Sequence, residues 1–158
     1  AIVMLGLTNA LRVASITEIN MDDINFEERS IKIIEKGNVY RKIYCIHKTF
    51  DAIIEWINVR EKILGDEQID ALFISNRHKR ISTRTIRDMI DKYTSNIDKR
   101  ITPHKLRSTF ATMYLEKTGD IMATSHAMGH ASVNSTKRYA AITERKEKEI
   151  LDTVEEIF

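Results

Sequence analysis

Apolar positions recur along this chain with two periods, and they mark out the elements. Residues 1–7 are apolar with no cap residue before them, and they predict a helix already under way. A break at Thr8-Asn9 precedes a second short helix over 13–19, with Ile16 and Ile19 inward. Residues 21–29 are polar and turn-like. Two β-rich runs, S-I-K-I-I-E and V-Y-R-K-I-Y-C-I, flank Gly37-Asn38 and predict an antiparallel hairpin with Lys36 at its tip. Residues 49–64 predict a helix capped by Thr49, striped by Phe50, Ile53, Ile54, Ile57 and Leu64, and stopped by Gly65. The run A-L-F-I-S at 71–75 predicts a third strand, and 76–80 a loop. Ser82 caps a helix carrying Ile86, Met89, Ile90 and Tyr93. Thr102 and Pro103 open another, to about Lys117, with Leu106, Phe110, Met113 and Tyr114 at helical spacing before Gly119. Asp120 caps the next, which ends at Gly129. A short helical piece leads to Tyr139, and 143–158 is charged with Ile150, Leu151, Val154 and Phe158 on one face. The expected fold is α+β: mostly helical, with a small three-stranded antiparallel sheet.

Composition adds limits. A chain of 158 residues, 42% hydrophobic and 30% charged, suits one globular domain. No apolar run approaches a membrane-spanning length, and the apolar start lacks the basic region and cleavage site of a signal peptide. Cys45 is the single cysteine, which excludes a disulfide framework and fits a reducing compartment. Net charge is only +2, but it is unevenly spread. Residues 77–107 hold 10 Lys/Arg against 3 Asp/Glu, whereas the flanking segments are net acidic. Arg77, Lys79, Arg80, Arg84, Arg87 and Lys105 make this block a candidate surface for a polyphosphate such as DNA.

That block ends on the densest chemistry. His104 and Arg107 sit at i, i+3 near a helix start, on one helical face, where backbone N–H groups also favour an anion. His130 follows Gly129, and Tyr139 comes nine residues later. Two histidines, an arginine and a tyrosine can together hold an oxyanion, carry a proton and supply an oxygen nucleophile. His126 and His130 are at i, i+4, a metal-ligand spacing. No Glu follows His126 and no third ligand is evident, so no metal is expected.

H-x-x-R, then G-H, then Tyr nine residues on resembles the C-terminal catalytic domain of the tyrosine recombinase (phage integrase) family. Upstream, A-L-R-V-A-S-I-T-E-I resembles the family's first-arginine box, and I-E-K-G-N-V-Y-R its β-hairpin lysine. The resemblance covers nearly the whole chain. It implies a catalytic set of Arg12, Lys36, His104, Arg107, His130 and Tyr139. Arg12 and Arg107 would clamp the phosphate, His104 exchange a proton with the nucleophile, and His130 donate to a phosphate oxygen. Lys36 would protonate the 5′-hydroxyl leaving group, with Arg41 and Lys42 the nearest alternatives; Tyr139 would be the nucleophile, with Tyr114 or Tyr93 next in line. One position departs from the pattern. The family's usual acid three residues after the first arginine is Ser15 here, leaving Glu18, one turn on, as a substitute support.

The resemblance further implies double-stranded DNA as partner, other recombinase protomers in a tetramer on DNA, and no cofactor, metal or membrane. It also implies a cytoplasmic setting in a bacterium, phage or mobile element. The expected organisation is a single catalytic domain over 1–158, truncated at its N-terminus and without the family's DNA-clamping domain. Residues 143–158 would dock on the same domain or on a neighbouring protomer. Two rivals stand: a type IB topoisomerase-like enzyme that rejoins the same strand, and a DNA-binding module without catalysis, which the Ser15 departure favours.

Overall fold

The computed structural model describes residues 1–35 and 37–129. Cα packing divides the chain into two units, 1–107 and 108–158. Unit one opens with helices α1 (Ile2–Thr8) and α2 (Val13–Glu18) and a one-turn 3₁₀ helix, Met21–Asp23. Strands β1 (Ile24–Asn25), β2 (Ser30–Glu35) and β3 (Val39–Tyr44) follow, then α3 (His47–Leu64) and α4 (Thr83–Tyr93). Helix α5 (Pro103–Thr118) starts in this unit. The strands form one antiparallel sheet in the order β1-β2-β3. No helix among the described residues is long and apolar enough to cross a membrane.

The hairpin forms as the β-rich runs require. Glu35 pairs with Val39 across the turn, and Gly37 and Asn38 take the positive φ values, 88° and 58°, that such a tight reversal needs. Alternation then sorts the side chains. Ile31, Ile33 and Glu35 are buried on one face of β2, and Ile31 and Ile33 lie opposite Ile43 and Arg41 of β3. The core joins this face to Leu5, Leu11, Ile16 and Ile19 from the first two helices, to Phe50, Ile53 and Ile57 of α3, and to Ile86 and Ile90 of α4. Gly6 sits where an added Cβ would lie 3.4 Å from Leu106 Cδ1, so α1 and the start of α5 approach closely.

Several elements differ from expectation. The third strand is β1, within the polar run 21–29, and not 71–75. Residues 71–74 are buried but stay outside the sheet: Ala71 and Ile74 make isolated bridges to Asn20 and Arg80, and Leu72 and Phe73 lie in a bend. Their backbone is satisfied piecemeal: Leu72 N donates to Ile19 O at 2.9 Å, and Ile81 N to Phe73 O at 3.0 Å. Side chains of α3 take other carbonyls of this stretch. Trp56 Nε1 donates to Leu72 O at 2.8 Å and Arg60 Nε to Ala71 O at 3.0 Å, while Trp56 stacks on Phe73. Thr49 does not cap α3. Ile46 is the N-cap residue, and the buried Thr49 hydroxyl bonds instead to Thr8 Oγ1 at 2.8 Å. Ile54, Tyr93 and Met113, expected in apolar stripes, are exposed.

Capping elsewhere follows the sequence. Ser82 Oγ accepts from Thr85 N, and Thr102 Oγ1 from Lys105 N. In the second unit, Gly119 (φ 68°) ends α5. Asp120 Oδ1 accepts from Met122 N and Ala123 N to start α6 (Ile121–Ala127). The segments expected to lead to Tyr139 and to form the C-terminal helix lie outside the described residues.

Candidate active site

A cleft of about 570 Å³ in the first unit is lined by the residues on either side of the α2 start, by one face of α4 and by the first turn of α5. Arg12, His104 and Arg107 all line it. Each is placed by a local device. Arg12 is the N-cap residue of α2, in extended backbone (φ −73°, ψ 145°). His104 and Arg107 ride on the first turn of α5, fixed by the Thr102 cap and by Leu106 N donating to Thr102 O at 3.1 Å.

The two α5 residues differ in depth. His104 is exposed, whereas Arg107 is only 8% exposed. Arg107 Nη1 donates to the carbonyl of Ala10, a buried residue held at φ 51°. A guanidinium carries five N–H donors in a planar fork, a geometry that can serve a carbonyl and an oxyanion together.

Arg12 is about one-third exposed and forms an ion pair with Glu35 Oε2. Glu35 Oε1 simultaneously accepts from Arg41 Nη2 at 2.9 Å, and the Glu35 side chain is 6% exposed. The expected supports read differently in three dimensions: Ser15 is buried, Glu18 is exposed, and the carboxylate paired with Arg12 comes from strand β2.

The far wall of the cleft carries Arg87, Asp91 and Arg100. Arg100 grips Asp91 through two parallel bonds, Nη2–Oδ2 at 2.9 Å and Nε–Oδ1 at 3.2 Å. That bond pulls the Asp91 carboxyl below the usual carboxylate range and raises Arg100. Among the described residues, four guanidiniums thus line the cleft with one carboxylate, and that carboxylate is engaged. The lining is suited to a polyanion.

Of the other expected DNA contacts, Arg77, Lys79, Arg84 and Lys105 are exposed on the first unit. Arg80 is exposed too, but its guanidinium donates to Thr17 O at 2.7 Å, Ile19 O at 3.4 Å and Asn20 Oδ1. Its fork therefore ties the loop at 76–80 to the end of α2. Lys36, His130 and Tyr139 lie outside the described residues. Of the expected catalytic set, the structure brings together Arg12, His104 and Arg107. Among the described residues no cluster of His, Cys, Asp and Glu could hold a metal ion.

Three residues of this neighbourhood escaped the sequence reading: Glu35, Asp91 and Arg100. For Glu35 a signal existed. It continues the inward alternation Ile31, Ile33 and is the one carboxylate of that strand face. Asp91 and Arg100 are far enough apart in sequence that only the turn after α4 joins them.

Known proteins bear on this arrangement. The phage integrase family profile matches residues 1–146. A tyrosine recombinase XerC of Caldanaerobacter subterraneus subsp. tengcongensis is 35% identical over 156 residues, covering 96% of this chain and 43% of that protein. The XerC of Shewanella oneidensis is 30% identical over 144 residues, covering 90% of this chain and 46% of that one. Among solved structures, a XerA recombinase superposes with a TM-score of 0.80 at 29% identity, over 92% of this chain and 56% of the other. The α+β architecture with its three-stranded antiparallel sheet is that of these recombinase structures. The chain spans about half the length of the curated relatives it matches. On the match to residues 1–146, the chain belongs to the phage integrase family.

Proposed function

We propose that this chain is the catalytic domain of a site-specific DNA recombinase that works through Tyr139. The observation carrying the reading is the single cleft onto which Arg12, His104 and Arg107 converge from opposite ends of the first unit. Relatives named as tyrosine recombinases support the same reading.

The Tyr139 phenol oxygen attacks the phosphorus of a DNA phosphodiester. A 3′-phosphotyrosyl bond forms, the P–O5′ bond breaks, and the phenol proton passes to His104. Lys36 protonates the departing 5′-oxygen. A 5′-hydroxyl from a second duplex then attacks the phosphotyrosine and releases Tyr139. The bond energy stays in the phosphotyrosyl ester, so no nucleotide cofactor is required. Charge on the pentacoordinate phosphorane is met by the two guanidiniums and by His130. Fixed donors in a cleft do this well because they need no reorganisation as the charge builds. Arg87 lines the same cleft, and Arg77, Lys79, Arg84 and Lys105 extend the cationic surface along double-stranded DNA. Two active sites must meet for strand exchange, so other protomers are the second partner, and residues 143–158 are the segment proposed to dock on one.

The test is a duplex with a nick just downstream of the cleavage position, which loses its 5′-hydroxyl fragment and traps the covalent species. The expected result is a protein–DNA adduct that survives denaturation, together with strand exchange between two sites. DNA bound with no adduct would make the chain a binding module. Relaxation of supercoils without exchange between sites would make it topoisomerase-like.

A further inference from the structure

The resemblance of Arg12 to a catalytic arginine places an acid three residues on, and that position holds Ser15. The structure supplies a carboxylate from elsewhere. Glu35 lies on the core face of β2, in line with the buried Ile31 and Ile33, and is itself buried. Its Oε2 pairs with Arg12 Nη1, and its Oε1 accepts from Arg41 Nη2 at 2.9 Å. Arg41 sits opposite Ile33 in the hairpin register, on the same face. A side chain at this depth needs polar partners, and two guanidiniums supply them. Among the described residues, the cluster sets one negative charge against two positive ones.

We propose that Glu35 is the positioning residue of Arg12. It holds the guanidinium at the cleft before DNA arrives, and Arg41 holds Glu35. A long, flexible arginine would otherwise have to be ordered at each encounter with the phosphate. Glu35 does from the hairpin what a residue at position 15 of α2 cannot do here. This rests on the reading of Arg12 as a phosphate clamp.

The experiment compares Glu35→Gln, Glu35→Asp and Arg12→Ala in the full chain, with the nicked duplex at saturation. Glu35→Gln should slow adduct formation by about ten- to a hundredfold while affinity for the same duplex changes less than about threefold. Glu35→Asp should recover part of the rate. In the Arg12→Ala background, Glu35→Gln should cost less than about a further twofold, because the two act as a unit. An unchanged rate in Glu35→Gln, at a temperature where it is folded, overturns the proposal; so does an equal cost with and without Arg12. Full-rate cleavage by Arg12→Ala overturns the clamp reading instead. A second measurement needs no cleavage at all: the ¹⁵N signals of the Arg12 guanidinium, identified by their loss in Arg12→Lys. Slow rotation and slow proton exchange are expected in the unmodified chain. A freely rotating Arg12 overturns the pairing even if Glu35→Gln fails to fold.

Discussion

Arg107 is both a proposed phosphate clamp and a structural anchor, and replacing it separates the two roles. The residue is 8% exposed, and its guanidinium donates to the carbonyl of Ala10, which has no exposed surface. A hydrogen bond from a charged donor is worth about 1.5–3 kcal/mol, and truncation also strands a buried acceptor. Arg107→Ala should therefore lower stability by about 2–4 kcal/mol, reading the upper figure as bond plus lost packing. For a chain of this length that lowers Tm by roughly 4–16 °C. The chemistry should suffer separately. Loss of one donor to a developing oxyanion costs about a hundredfold to a thousandfold in rate. Arg107→Lys keeps a charge but has no planar fork to serve Ala10 and a phosphate together. It should recover part of the stability and little of the rate. The assay is a thermal melt followed by circular dichroism, paired with single-turnover cleavage at saturating DNA, at a temperature where every variant is folded. A Tm for Arg107→Ala within about 1 °C of the unmodified chain would refute the anchor. A full single-turnover rate in the folded variant would refute the clamp.

Four further outcomes are expected. Burial pushes the Cys45 thiol up to about 11, so at pH 8 it is neutral and shielded, and thiol reagents should label it only as fast as the chain opens; rapid labelling of the native chain would contradict this. Because the folded thiol holds its proton more tightly than the unfolded one, that group's contribution to stability is intact below about pH 9 and is lost as pH rises towards 11, measurable by chemical melts across that window. DNA affinity should fall steeply from low to physiological salt, because phosphate contacts from the 77–107 block dominate it, and Arg84→Ala together with Lys105→Ala should flatten the slope; an affinity indifferent to salt would contradict it. Lys36→Ala should slow cleavage of a normal phosphodiester but spare a substrate whose 5′ leaving group is a thiolate, which needs no general acid; equal damage to both would remove Lys36 from that role.

How much of this could be read before any coordinates depends on how local each signal is. Ser82, Thr102 and Asp120 were legible as caps because a cap is a bond between near neighbours in sequence. The hairpin was legible because Gly37-Asn38 and the β-branched runs around it agree. Thr49 misled because its hydroxyl is used at long range, by Thr8, and the helix starts earlier on backbone geometry alone. The stretch 71–74 has a strand's composition, but Trp56 and Arg60 take carbonyls that a neighbouring strand would have taken. In its place two residues of a polar run, Ile24 and Asn25, form the third strand, too short to leave a period. At the site, His104 and Arg107 were legible by spacing and Arg12 through the family resemblance, and the structure places all three on one cleft. Glu35 was not legible as the partner of Arg12 because the pair spans 23 residues, far beyond the one helical turn over which sequence spacing reports contact.

The central claim is that Tyr139 becomes covalently joined to DNA. The direct measurement is to trap the adduct on the nicked duplex, digest the protein and locate the modified peptide by mass. The account predicts a nucleotide mass on the peptide containing Tyr139, a 3′-phosphate linkage, and no adduct in Tyr139→Phe although that variant still binds the duplex. An adduct that persists in Tyr139→Phe, or that maps to Tyr114 or Tyr93, would contradict it.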